Sequence, residues 1–277
     1  MALRIATNIQ SLNAQRNLTM NHDAQNRALE RLSSGSRINR AGDDAAGMAI
    51  SEKLKSNIRS MKQATRNAND GVALIQTAEG SMNEISNILV RLRELSVQSA
   101  SDTISNVERA FVDKEVQNLK LEIDRIANST EFNGLKLLSG EAENLEIQVG
   151  IGNDPSKDRF IYNTGDNKTS LSALGIGDVA VISRDNAQNN LEKLDFAITK
   201  LNENRSNLGA LQNRLYSSIN NMNIYRENLE GAYSRIRDTD MADETSELTK
   251  ANILAQSGLS VLSQANQNPQ MALKLLG

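Results

Sequence analysis

The sequence has no cysteine. Disulfides, thiolate metal sites and cysteine nucleophiles are therefore excluded. It has no tryptophan, four phenylalanines and four tyrosines in 277 residues, whereas an enzyme of this length normally buries more aromatic surface. His22 is the only histidine. A two-histidine metal site is impossible, and a Ser-His-Asp triad would have to use a residue that lies in a terminal apolar stripe with no nucleophile elbow. No catalytic residue, metal or cofactor is expected. Only two prolines, Pro155 and Pro269, occur, so very long segments are free of helix breakers. No run of eighteen apolar residues exists, and no membrane span is expected. MALRIATNIQSLNAQRNL, at the amino terminus, lacks the apolar core of a cleaved secretory signal, so any export is expected to use another route. The 31 basic and 34 acidic residues nearly cancel, at a net charge of −3, which advertises no nucleic-acid or acidic-substrate surface. Arg4, Arg16, Arg27, Arg31, Arg37 and Arg40 make the amino-terminal end locally basic. They read as a solvated helix face, because a nucleic-acid arm is usually denser.

What the chain has is periodicity. Counted in sevens, Leu54, Met61, Ala68, Ile75, Met82 and Leu89 are all apolar. A partner position runs Ile58, Thr65, Val72 and then shifts to Ala78, Ile85, Leu92. This sustained 3-4 spacing specifies a helix with one long seam, roughly 80 Å over residues 44–98 at about 1.5 Å per residue. Leu194, Leu201, Leu208, Leu215, Met222, Leu229 and Ile236 repeat the pattern. Val112, Val116, Leu119, Ile123 and Ile126 form a shorter third seam. Burying one Leu, Ile or Met contributes about 1.5–3 kcal/mol, so such helices must cover one another. The fold class expected is mainly α: a long antiparallel, coiled-coil-like helical bundle.

Two terminal stripes stand apart from these seams. One holds Ile5, Ile9, Leu12, Leu18, Leu29 and Leu32; the other runs from Ile253 and Leu254 through Leu259, Val261, Leu262, Ala265 and Met271 to Leu273, Leu275 and Leu276. Short helices are marginal in water, so poor order is expected of them in a lone monomer. Midway the character changes. Leu145, Ile147 and Val149 alternate with polar residues, a turn cluster runs from Gly150 to Pro155, and Phe160 and Tyr162 alternate again. This is hairpin chemistry. Residues 178–183, DVAVIS, offer a further strand. Thr164, Thr169, Ser170 and Ser172 sit in a segment that reads as exposed.

The stretch RLSSGSRINRAGDDAAGMAISEKL, from Arg31 to Leu54, has the ingredients of a phosphate loop. Gly42 and Gly47 are correctly spaced, but Met48 and Ala49 stand where a P-loop needs lysine and a hydroxyl, and Asp43 and Asp44 would repel phosphate. A helix start fits better, with Asp43 or Asp44 capping the helix that Ala45 begins. Ser33 to Arg37 interrupts the first stripe, so the stretch reads as a joint. The carboxylate pairs Glu141/Glu143 and Asp238/Asp240 read as exposed loop charges, and the sequons at Asn17, Asn128 and Asn167 as chance.

Several of these segments carry a resemblance. SLNAQRNL, LERLSSGSRINRAGDDAAGMAISEKL, ANDGVALIQTAEGSMNEISNIL, RLRELSVQSA and EFNGLKLL resemble bacterial flagellin, as do NLGALQNRLYSSINN, AYSRIRDTDMADETSELTKANIL and NPQMALKLL. The resemblance covers roughly 1–140 and 187–277. It implies an inner core domain formed by the paired termini, 1–42 with 239–277. It implies an outer shaft over 43–238 with a β-hairpin region near 141–186, and outer domains absent. It makes Arg31, Ser33, Gly35, Arg37, Asn39, Arg40, Asp43 and Asp44 the residues of the joint and of subunit contacts, with Ala232 to Glu244 as the returning joint. Leu254, Leu259, Leu262, Leu273, Leu275 and Leu276 become the core-assembly and chaperone segment.

By the same resemblance the chain is a structural filament subunit, a homopolymer of flagellin copies. Its further partners would be an export chaperone, the type III export apparatus, and the filament cap and hook-associated proteins. A host receptor, Toll-like receptor 5, would be met through Arg91, Leu95 and Glu115, residues that also pack subunits in the family. Val90 departs from the family's frequent glutamine, and Gly277 stands where a terminal arginine is common in the leucine motif of cytosolic immune sensing. The location implied is an extracellular flagellum, with sheathed or periplasmic filaments also compatible. A hook–filament junction protein is the alternative reading, and an enzyme within a flagellin frame is disfavoured by the small, ligand-poor 141–186 segment.

Overall fold

A computed structural model describes residues 7–140 and 144–274, with side chains to residue 267. Ile5, Glu141, Glu143, Leu275 and Leu276 lie outside the described residues, as do the side chains of Met271 and Leu273. The helices are α1 (Ile9–Ser34), α2 (Ala45–Ser99), α3 (Asn106–Ser129), α4 (Pro155–Asp158), α5 (Leu171–Leu174), α6 (Arg184–Arg237) and α7 (Met241–Lys274). Four short strands, β1 (Glu131–Phe132), β2 (Leu135–Lys136), β3 (Leu145–Gln148) and β4 (Arg159–Tyr162), form two separate two-stranded sheets. The fold is mainly α with a small central β region, as the periodicity and the turn cluster predict. Contacts divide the chain into two compact units, 1–58 with 227–277, and 59–226.

In the second unit the counted seams are the core. Met61, Ala68, Ile75, Met82 and Leu89 of α2 are buried, as are Leu194, Leu201, Leu208, Leu215 and Met222 of α6. From α3, Val116 and Ile123 join the same cluster, with Val112, Leu119 and Ile126 packed against it. The Arg93–Asp195 and Arg184–Asp102 ion pairs register α2 and α6 antiparallel, because the residue numbers rise on one side as they fall on the other. A capping box starts α3: Ser105 accepts from the Glu108 amide and the Glu108 carboxylate accepts from the Ser105 amide. Buried Arg109 closes the preceding turn by donating to the carbonyls of Ser99 (2.9 Å) and Ser101 (2.7 Å).

The expected hairpin is β3–β4, antiparallel, with Leu145 opposite Tyr162 and Ile147 opposite Phe160. Gly71 lets α2 approach it, since a Cβ there would sit 2.7 Å from Cδ1 of Ile147. The tight hairpin β1–β2 was not expected. Its turn residues Asn133 and Gly134 have φ of 52° and 78°, the double left-handed step of a type I′ turn. The Asn-Gly dipeptide was the available signal.

The further strand expected at 178–183 does not form. Val179 and Val181 are buried, so the alternation is real, but helix side chains take the hydrogen-bonding groups a neighbouring strand would have used. Lys120 donates to Gly177 O and Val179 O, Gln117 donates to Val179 O, Asp113 accepts from the Val181 amide, and Asn190 donates to Ala180 O. The segment from α5 to α6 is thus a strap laid on side chains. The exposed reading of 164–172 also fails in part: Thr164 and Thr169 are buried, as is Asn167 of the third sequon, while Ser172 is exposed.

Candidate functional site

Arg31 to Asp44 forms a folded joint within the first unit. Helix α1 stops because Gly35 takes a left-handed conformation, φ 66°, which ends helices readily. The chain then meets the end of α6: Arg37 N donates to Arg237 O at 2.6 Å, Thr239 N donates to Gly35 O at 3.1 Å, and Ser36 bridges Asp238. The Arg37 guanidinium donates to Ile236 O (3.0 Å), and Arg40 grips Glu30 through two hydrogen bonds (3.1 and 2.9 Å). Asn39 donates to Ser34 Oγ at 2.9 Å, and Ser33 donates back to Glu30 O. Arg31 lies 3.6 Å from Glu244 across to α7.

The two aspartates divide their work. Asp43 Oδ2 accepts from the amides of Arg40 (3.0 Å) and Asn39 (3.1 Å), and these bonds, with the nearby Arg31 and Arg40 charges, hold its carboxyl below the usual range. Asp44 is the helix cap, accepting from the Gly47 amide at 2.8 Å. Gly47 leaves room for both side chains: a Cβ would fall 2.4 Å from Asp44 Oδ2 and 2.9 Å from Ile38 Cδ1, and both would have to shift. Ile38, 2% exposed, anchors the joint and was missed in the sequence because it stands alone, outside any apolar period. Glu30 and Glu52 were missed too, whereas the backbone of 236–239 lies within the returning segment Ala232 to Glu244 that the resemblance implied. Glu52 pairs with Arg237.

Helices α1 and α7 pair antiparallel, fixed by Asn8 donating to Ala265 O (2.8 Å), by Gln25 donating to Asn252 (2.7 Å), and by Arg31 with Glu244. The fully buried positions of their shared face are small residues. Ala14, Ala28, Ala251 and Ala265 are buried, and a Cβ on Gly258 would lie 3.3 Å from Leu18 Cδ1. The large side chains face out: Ile9 is 56% exposed, Leu12 52%, Ile253 59%, Leu259 55% and Val261 56%. Leu254 is also exposed, and Leu262 is half-buried.

Of the three residues expected at a receptor surface, the structure brings two together. Arg91 of α2 donates to Glu115 of α3 at 2.9 and 3.0 Å and to Glu94 at 3.0 Å. Leu95 is 2% exposed within the chain and belongs to the core cluster of the second unit. Among the described residues there is no group of acidic and histidine side chains fit to hold a metal ion, and no helix is long and apolar enough to cross a membrane.

Paired terminal helices that hide their small side chains and display their large ones define a structural subunit built to associate with further helices. Comparison with known proteins says which. Residues 5–143 match the bacterial flagellin N-terminal helical region and residues 191–276 the C-terminal helical region. The chain is 45% identical over 271 residues to a flagellin of Halalkalibacterium halodurans, covering 97% of this chain and 98% of that one. It is 41% identical over 282 residues to the flagellar filament 33 kDa core protein of Treponema phagedenis, again covering 97% and 98%. The crystal structure of Bacillus cereus flagellin is similar at 35% identity and a TM-score of 0.50, over 57% of this chain and 88% of that one. The chain belongs to the flagellin family. It is a structural subunit that self-assembles into the bacterial flagellar filament, and the hook-associated alternative is not better supported.

Proposed function

We propose that the filament core is built by residues 1–42 and 239–277, and that 43–238 is the shaft outside it. The outward row of Ile9, Leu12, Ile253, Leu259 and Val261 carries this reading. Exposed Leu, Ile and Val side chains contribute about 1.5–3 kcal/mol each when buried, and the α1–α7 pair leaves them nothing of its own to pack on. Neighbouring copies are the natural cover. The joint residues Arg31, Ser33, Gly35, Arg37, Asn39, Arg40, Asp43 and Asp44 set the direction in which the chain leaves the core. Arg37 and Arg40 act first inside the chain, on Ile236 and Glu30, and their exposed edges then face other subunits.

The resemblance to the family supports the remaining partners of this reading. Export is through the flagellar type III apparatus, with a chaperone on the α7 segment that holds Leu254, Leu259 and Leu262 and continues through Leu273, Leu275 and Leu276. The filament cap and hook-associated proteins bound the polymer at its ends. The filament is extracellular, or enclosed beneath a sheath or in the periplasm as a short, outer-domain-free subunit also permits. Arg91 and Glu115, exposed and adjacent, are the part of the shaft open to Toll-like receptor 5. The chain performs no catalysis.

Deletion of residues 1–32 or of 254–277 tests the core assignment. Each truncated chain is expected to stay soluble with a folded shaft and to form no filaments. Filaments of either truncation in electron micrographs would overturn it.

A further inference from the structure

Five arginines of the second unit, Arg91, Arg93, Arg125, Arg159 and Arg184, each pair with a carboxylate. Arg214 of α6 is different. Its guanidinium lies over the Phe160 ring of β4, 4.7 Å from the centroid, and it has no hydrogen bond or ion pair to another described residue. Stacking on an aromatic face fixes the plane of the fork and leaves its N–H edge free. Two clefts meet at this side chain. One, of about 430 Å³, is lined by Phe160, Asn213, Arg214, Ser217, Ser218 and Asn221. The other, of about 300 Å³, adds Asn163, Asp166, Asn167 and Asn207. Together they fall within the usual range of small-molecule clefts, about 300–1,000 Å³.

The α6 side of the lining is a set of unused hydrogen-bonding groups. Asn213, Ser217 and Asn221 recur every fourth residue on one face of α6, and none of their side chains bonds to another described residue. Asp166 accepts from Asn163 at 2.9 Å through one oxygen, leaving the other to accept from a hydroxyl. We propose that this groove binds an acidic saccharide. The carboxylate sits on the Arg214 fork in the two-bond geometry that guanidinium favours. The sugar hydroxyls meet the amides of Asn213 and Asn221 and the hydroxyls of Ser217 and Ser218, which donate and accept alike. A phosphate dianion is disfavoured by Asp166, whereas a polyhydroxylated monoanion uses it.

The experiment is a titration of the full-length chain, held dilute as monomer, with galacturonic acid, its methyl ester, and acetate, followed by side-chain amide and guanidinium resonances. The acid is expected to shift Arg214, Asn213 and Asn221 with a dissociation constant of about 1 mM, a weak but measurable affinity. Arg214→Gln, checked for an unchanged helical spectrum and unfolding midpoint, is expected to weaken it roughly tenfold, the loss of one charge-assisted pair. The methyl ester is expected to weaken in the same way, and acetate to leave the resonances still. The proposal is overturned if the acid produces no shift, if Arg214→Gln or esterification leaves the affinity unchanged, or if acetate saturates the same resonances at the same concentration. The last result would make the groove a general carboxylate contact, open to an acidic side chain of another protein.

Discussion

The Lys120 amine donates to Gly177 O at 2.7 Å and to Val179 O at 3.0 Å, and the residue is only 7% exposed. A buried cation thus holds the backbone of a segment with no regular secondary structure of its own. Lys120→Met keeps the apolar stem and removes the donor. Leaving buried acceptors unsatisfied costs about 1–3 kcal/mol. The variant is expected to unfold at correspondingly lower denaturant, with faster amide exchange across 176–181 than across the α2 seam. An unchanged midpoint would show that the strap is held by Val179 and Val181 alone.

The strap also marks how far the sequence could be read. The seams were legible because a seven-residue count needs no partner: each apolar position fixes its own burial once the helix forms. The β3–β4 hairpin was legible from alternation and the Gly-rich turn cluster. Residues 178–183 show the same alternation, yet no strand results, because the competing donors and acceptors come from Asp113, Gln117, Lys120 and Asn190. That competition is tertiary and leaves no trace in the local pattern. In the joint, the glycine stop and the aspartate cap were readable, while the Arg40–Glu30 grip, the Glu52–Arg237 pair and the Ile38 anchor depend on how segments meet.

Acid is expected to destabilise the chain. Backbone amides hold the Asp43 carboxyl below its usual range. The Arg237 guanidinium does the same for Glu52, Arg93 for Asp195, and Arg125 for Glu122. A carboxyl whose folded pKa lies below its unfolded value of about 4 stabilises the fold above that pH. As pH falls, the unfolded chain takes up protons first, and the stabilisation is lost through the lowered folded values. Denaturation midpoints measured from pH 6 down to pH 2.5 should therefore fall, mainly below about pH 4. A midpoint that rises on acidification would contradict the assignment.

Asp44 and Asp43 can be separated by substitution. Asp44→Ala removes the cap from the Gly47 amide and is expected to cost about 0.5–2 kcal/mol. Asp43→Asn keeps one acceptor for the Arg40 and Asn39 amides but cannot titrate. It should leave neutral-pH stability nearly intact and flatten part of the acid dependence. Equal loss of stability at pH 7 in both variants would mean that the two aspartates do one job, not two.

The seam on α6 contains one flaw with a readable consequence. Asn204 falls in the buried row between Leu201 and Leu208, is 5% exposed, and its Nδ2 has no hydrogen-bond partner. A buried unpaired amide costs about 1–3 kcal/mol. Asn204→Leu is expected to raise the unfolding midpoint of the monomer. If the midpoint falls, the cavity is too small for the extra volume and overpacking outweighs the gain.

The terminal pair separates folding from assembly, since its small and large residues face opposite ways. Ala28→Leu inserts bulk where α1 and α7 meet, at a residue only 2% exposed, and overpacking of this kind costs about 1–3 kcal/mol. It should lower the stability of the first unit in the isolated monomer. Leu259→Ser changes a side chain that is 55% exposed and touches little within the chain. It should leave the monomer's midpoint nearly unchanged while slowing seeded filament growth or raising the critical concentration, because the lost burial is intermolecular and recurs in every subunit. Light scattering and sedimentation of the two variants beside the parent chain give both quantities. If Leu259→Ser polymerises like the parent, the outward row is not the surface that other copies cover.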